Sequence, residues 1–156
     1  KGSNFGIEIE ALWAQGENLN FFASLGWLDT EYDTPLAKTL NSRQQAHAPR
    51  YQFAVGGQLQ ISDNVSLSLD LEGKDRFYLS SSHDEQSQSY QLLNANLVYA
   101  SSSWDISVWA RNLTNEEVIV RGFGGFGNDP RKYYETEPYY QMGEPRVFGV
   151  SGQYGF

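Results

Sequence analysis

The stretch Val65-Ser66-Leu67-Ser68-Leu69-Asp70-Leu71-Glu72 has an apolar residue at every odd position and a polar one at every even position. Side chains along an extended strand alternate with period two, so this octet has one dry face and one wet face. Six further segments repeat the pattern. Their dry faces read Phe5, Ile7, Ile9, Ala11, Trp13; Leu19, Phe21, Ala23, Leu25, Trp27; Tyr51, Phe53, Val55, Gly57, Leu59, Ile61; Leu93, Ala95, Leu97, Tyr99; Trp104, Ile106, Val108, Ala110; and Phe148, Val150, Gly152, Tyr154, Phe156. Phe22, Leu28 and Leu92 interrupt the alternation on the polar side. No segment of comparable length has helical spacing. The expectation is an all-β chain, an antiparallel up-and-down meander of about seven long strands.

Composition agrees. Aromatic residues make up 15% of the 156, there are 15 glycines, and hydrophobic residues reach only 40%. Rings, Gly, Ser and Asn favour strands and turns over helix. No shift in composition divides the chain, so residues 1–156 read as one unit. The formal net charge of −8 excludes the basic stripe that a nucleic-acid partner requires. Cysteine is absent, which removes disulfides, thiolate metal sites and thiol nucleophiles. Lys1 to Phe5 show no signal-peptide pattern. There is no run of about eighteen apolar residues, so a membrane would have to be crossed by strands.

The connections are sorted. Gly16-Glu17-Asn18, Asp63-Asn64 and Ser101-Ser102-Ser103 are tight, whereas Asp33–Ala48, Ser80–Gln88 and Gly122–Pro145 are long, and the two kinds alternate strictly. In a meander that alternation puts every short turn at one end and every long loop at the other, as in outer-membrane barrels. Arg50–Ser62 and Asn64–Leu79 are also long enough to span, since a tilted membrane strand needs about 9 to 11 residues. Rings gather at the strand ends. Trp13, Tyr99, Trp104, Tyr154 and Phe156 fall at the short-turn end, and Trp27, Tyr51 and Phe77 toward the loops. Such rings straddle lipid and water.

The final stretch carries a resemblance. Arg111-Asn112-Leu113-Thr114-Asn115-Glu116-Glu117, a long loop, then Gly143-Glu144-Pro145-Arg146-Val147-Phe148 and a closing Tyr154-Gly155-Phe156 resemble the end of a TonB-dependent outer-membrane receptor. The resemblance implies the C-terminal portion of such a β-barrel, in the outer membrane of a Gram-negative bacterium, with Phe156 on the periplasmic side. An odd number of strands then makes residues 1–156 a segment, with the plug domain and earlier strands elsewhere. It further implies energy-coupled uptake of a scarce ligand, above all an iron–siderophore complex, with outer-membrane lipid, a plug domain and TonB as partners. Alone, such a segment exposes an apolar face and two sheet edges, and self-association is expected.

No residue pattern points to covalent chemistry, and the chain is not expected to be an enzyme. Asp70 and Glu72 beside Lys74 and Arg76, like Glu8 and Glu10, read as a polar wall with paired charges. His47 and His83 lie in separate loops without a partner at metal-ligand spacing, so no metal and no cofactor are expected. Gly122-Phe123-Gly124-Gly125-Phe126-Gly127 has no following helix to hold a phosphate. The candidate ligand-binding residues are Arg121, Phe123, Phe126, Arg131, Tyr133, Tyr134, Tyr139 and Tyr140, with Lys132 and Met142 beside them. Rings with a few cations can grip an aromatic, anionic ligand or stack on sugars; equally, they can pack the loop over the barrel mouth. Alternation alone does not say which way the dry face points. A soluble lipocalin-like ligand-binding barrel would turn it inward, and a passive outer-membrane pore would turn it outward.

Overall fold

The structure is a computed structural model, and it describes residues 1–32, 43–123, 128–135 and 137–155. Seven strands form one antiparallel sheet in chain order: β1 (Gly2–Gln15), β2 (Leu19–Tyr32), β3 (Tyr51–Ser62), β4 (Val65–Lys74), β5 (Tyr90–Ala100), β6 (Trp104–Arg111) and, after an excursion, β9 (Val147–Tyr154). Within the excursion β7 (Ile119–Phe123) and β8 (Tyr139–Met142) form a separate hairpin. The seven-strand meander is therefore as the period-two reading gives it, with short turns at one end and long connections at the other.

Register collects the dry residues into continuous rows across the strands. One row runs Leu19, Leu59, Leu67, Leu97, Val108, Val150, and the next Trp13, Phe21, Gly57, Leu69, Ala95, Ala110, Phe148. A slip of one residue would reverse the face of every side chain in a strand, so the shared phase of seven strands is strongly specified. Most of these side chains stay uncovered, Trp13 being 60% exposed, Leu69 46% and Val150 72%, while Ala110 is buried. The chain exposes 11130 Å², whereas a compact monomer of 17.6 kDa exposes about 7,900 Å². The excess of about 3,000 Å² is what an open sheet leaves bare on its apolar side and edges.

Wide residues sit on glycines directly across the ladder. Phe22 faces Gly56, Phe21 faces Gly57, Phe53 faces Gly73 and Trp109 faces Gly149. A methyl group added at Gly149 would overlap the Trp109 indole, so this flat ring requires a residue without Cβ opposite it.

Three expectations are corrected. The strand expected to run from Asn64 to Leu79 ends at Lys74. Phe77 is accordingly no interface aromatic; it is buried together with Leu79 in a small core among the loops. The region Gly122–Pro145, read as a loop, contains the end of β7 and all of β8.

Candidate functional site

The loop-end core is built from two connections and the hairpin. Tyr78 makes β-bridges with Ala46 and Gln86, and the Phe77 amide donates to Ser87 Oγ at 3.0 Å. Leu79 is fully buried, with Gly122 of β7 closing over it. Arg43 crosses this core. Its guanidinium donates to the carbonyls of Ser80 (2.8 Å) and His83 (3.0 Å), pairs with Asp84 at 2.6 Å, and lies 4.4 Å from the centre of the Tyr78 ring. A buried cation is tolerable only with such a set of acceptors. The loops are joined again where His83 Nε2 meets the Phe123 carbonyl at 3.2 Å while His83 Nδ1 accepts from the Glu85 amide. Both bonds together require the neutral ring with its proton on Nε2.

The base of the hairpin is held by the Asn-Leu-Thr-Asn stretch. Asn112 and Asn115 both adopt left-handed backbone, φ 48° and 57°, which asparagine tolerates better than other residues with a side chain. The buried Asn112 amide donates to the carbonyls of Glu116 (2.8 Å) and Glu144 (3.0 Å), and its oxygen accepts from the Glu116 amide. Asn115 Oδ1 accepts from the Arg146 amide. These bonds tie the end of β6 to the start of β9. The network continues inward, because the Asn112 amide N–H donates to Asn94 Oδ1 and Asn94 Nδ2 donates to Asp70 Oδ2 at 2.7 Å.

The hairpin leans over the polar face of the sheet. A cavity of about 620 Å³ is bounded by Val118, Val120 and Gly143 of the excursion and by Asp70, Asn94, Asn96, Trp109 and Arg111 of the wall. A neighbouring space of about 520 Å³ is lined by polar-face residues from β1 to β5, including Glu8, Glu10, Gln52, Glu72 and Lys74. One space touching five consecutive strands on the same side shows that the polar face is the concave one. Barrels with a polar interior and an apolar exterior have this arrangement.

The candidate ligand-binding residues fall into two groups. Register places Phe123 opposite Tyr139 and Gly122 opposite Tyr140 within the hairpin, and the Arg121 guanidinium lies 4.8 Å from the centre of the Phe123 ring. Arg131, Tyr133 and Tyr134 stand apart at the tip, around the 3₁₀ turn Pro130–Lys132. Tyr133 and Tyr134 both have positive φ, 56° and 59°, and are 94% and 69% exposed. Consecutive non-glycine residues in this region are strained, and here the turn is held by Asp129, whose carboxylate takes the Arg131 amide and its guanidinium fork. The Arg131 pairing holds the Asp129 carboxyl below its ordinary value, and Glu137 raises the Lys132 ammonium above its own. Phe126 lies outside the described residues.

At the sheet margins, Trp13 stacks on Phe21 at 5.6 Å and Tyr99 meets Trp104 at 5.3 Å near the short turns, with Tyr154 opposite Trp104 in register. Trp27 contacts Phe5 edge-on at 6.0 Å on the loop side. Phe156 lies outside the described residues. Among the described residues no three His, Cys, Asp or Glu side chains come together as a metal site would require. Sequence reasoning missed Arg43, Leu79 and the covering hairpin.

No protein-family model matches the chain. Solved structures do. The ferric yersiniabactin uptake receptor FyuA from Yersinia pestis matches 99% of this chain with TM-score 0.84 at 16% identity. The ferric-catecholate import receptor Fiu from E. coli K12 matches 97% with TM-score 0.70 at 15%. The ferric enterobactin receptor PfeA from Pseudomonas aeruginosa, as a double mutant, matches 94% with TM-score 0.67 at 14%. The chain spans 24%, 20% and 21% of the length of these three. With its seven-strand meander, uncovered apolar rows and roofed polar face, the chain shares the fold of a segment of these three ferric-complex receptors.

Proposed function

We propose that these residues form part of the wall and outer crown of an outer-membrane receptor that takes up a ferric siderophore by energy-coupled transport. The observation that carries this reading is the division of one sheet into an uncovered apolar face and a polar concave face overhung by loops. In a membrane the apolar rows meet acyl chains, the rings at both margins meet the interfaces, and the concave side lines the path of the ligand. The roles fall accordingly. Trp13, Trp27, Tyr99, Trp104 and Tyr154 anchor the wall, a role that the sequence pattern extends to Phe156. Arg121, Phe123, Phe126, Arg131, Tyr133, Tyr134, Tyr139 and Tyr140 offer contacts to the ligand. Residues outside this chain supply the plug and the segment that engages TonB.

Transport of ⁵⁵Fe-loaded siderophores into cells that depend on the full-length protein tests the reading. Accumulation that stops on deletion of TonB or on collapse of the proton gradient supports it. Equal accumulation with and without TonB makes the protein a passive pore.

A further inference from the structure

Both stems of the hairpin hang from one side chain. Asn112 holds the Glu116 carbonyl and amide on the way into β7, and the Glu144 carbonyl on the way out of β8. The aim of that side chain is set by a bulge. Register continued from Ala95 opposite Ala110 would bring Leu93 opposite Asn112, yet it is the Leu113 amide that donates to the Leu93 carbonyl, at 2.7 Å. Asn112 is the extra residue, with φ 48°, and its own amide turns to Asn94 Oδ1 at 3.0 Å. Bulges at barrel rims re-aim side chains in this way. Asn94 can accept that amide in one orientation only. It lies directly opposite Asp70 in register, and its Nδ2 donates to Asp70 Oδ2 at 2.7 Å. An ionised carboxylate accepts and never donates, so Asp70 draws the amide nitrogen of Asn94 to itself and leaves Oδ1 for Asn112. The reverse orientation would set donor against donor at Asn112 and acceptor against acceptor at Asp70.

We propose that Asp70 is a positioning residue: through Asn94 and Asn112 its carboxylate sets the posture of the hairpin that carries Arg121, Phe123, Tyr139 and Tyr140 above the cavity. The bonds run in one direction, from the middle of β4 to the rim, and the first of them is charge-assisted and therefore the strongest. Charge on the wall is not enough by itself. Glu72, the next carboxylate on the same face of β4, stands opposite Leu92, which offers it no side-chain donor. The far end of the hairpin is held separately, by Gly122 on Leu79 and by Phe123 at His83, so the relay governs its foot. This role is the same whatever ligand the hairpin meets, so it stands apart from the uptake reading.

The test places nitroxides at Val55→Cys on the sheet and Met142→Cys at the foot of β8, both exposed, in a full-length protein otherwise free of cysteine. In lipid vesicles their distance distribution is read by double electron–electron resonance, at about pH 8, well above the ordinary carboxylate range. Asp70→Ala removes the acceptor, and Asn94→Asp sets like charges face to face. Each should raise the displaced population on the order of tenfold, the worth of one charge-assisted hydrogen bond. The exchange Asp70→Asn/Asn94→Asp moves the carboxylate one strand along with every donor and acceptor still matched, and should restore the wild-type distribution. Glu72→Gln should leave that distribution unchanged, whereas a general weakening of the wall would act through any of these carboxylates. Wild-type distributions in folded Asp70→Ala and Asn94→Asp overturn the proposal, as does an exchange variant displaced as far as Asn94→Asp. If the single variants do not fold, the exchange variant decides: a wild-type urea midpoint and distribution support the relay, and failure to fold or a displaced hairpin overturns it.

Discussion

Leu69 gives the sharpest mutational consequence. It lies near the middle of β4, 46% exposed, and its ladder neighbours are the small residues Gly57 and Ala95. In a bilayer its side chain stands against acyl chains at mid-depth, where an arginine on the lipid face costs about 2–4 kcal/mol. Ser68 is one residue away on the concave face, where a charge remains in a polar space and costs within about 0.5 kcal/mol. Leu69→Arg should therefore lower the folding equilibrium by about two orders of magnitude, and Ser68→Arg by less than about threefold. The assay is folding of the full-length protein into phospholipid vesicles across a urea series, with the folded fraction read from migration on unheated gels. Equal effects, or a larger effect at Ser68, would refute the assignment of faces.

Three other consequences follow from the packing. Asn112→Ala strips partners from the Glu116 and Glu144 backbone and leaves a left-handed alanine, so the urea midpoint should fall by an amount equivalent to about 2–4 kcal/mol. Gly149→Ala drives a methyl into the Trp109 ring and should cost about 1–3 kcal/mol, whereas Gly152→Ala, with nothing closer than 4.0 Å, should leave the same midpoint unchanged. Residues 1–156 purified alone, with both sheet edges and the apolar rows bare, should sediment as oligomers in buffer and as a dispersed β-rich species in micelles; a monomer in buffer would contradict this.

The strands were legible because alternation persists over 8 to 14 residues, long enough for phase to stand out from composition. Leu12 and Phe22, opposite each other on the polar face, show that single exceptions do not shift that phase. The hairpin was not legible: β8 has 4 residues, Tyr-Tyr-Gln-Met, too few to separate a strand from an aromatic loop. Phe77 and Leu79 continue the odd-position pattern of β4 past its end, so alternation alone extended the strand into the loop core. Arg43 carries no local signal, since its acceptors lie about 40 positions away. The Asn-Leu-Thr-Asn stretch was recognisable, yet its reason, two left-handed asparagines clamping the start of β9, appears only in three dimensions.

The proposed function requires that the apolar rows face lipid and the polar rows an aqueous interior. Residues 1–156 contain no cysteine, so single cysteines at positions 65–72 can carry a nitroxide without background labelling from this chain. In the full-length protein in lipid vesicles, collisions with oxygen report acyl chains and collisions with a nickel chelate report water. Oxygen maxima are expected at positions 65, 67, 69 and 71 and nickel maxima at 66, 68, 70 and 72. The opposite phase would place the apolar face inside a soluble barrel, and loss of the period would contradict the strand itself.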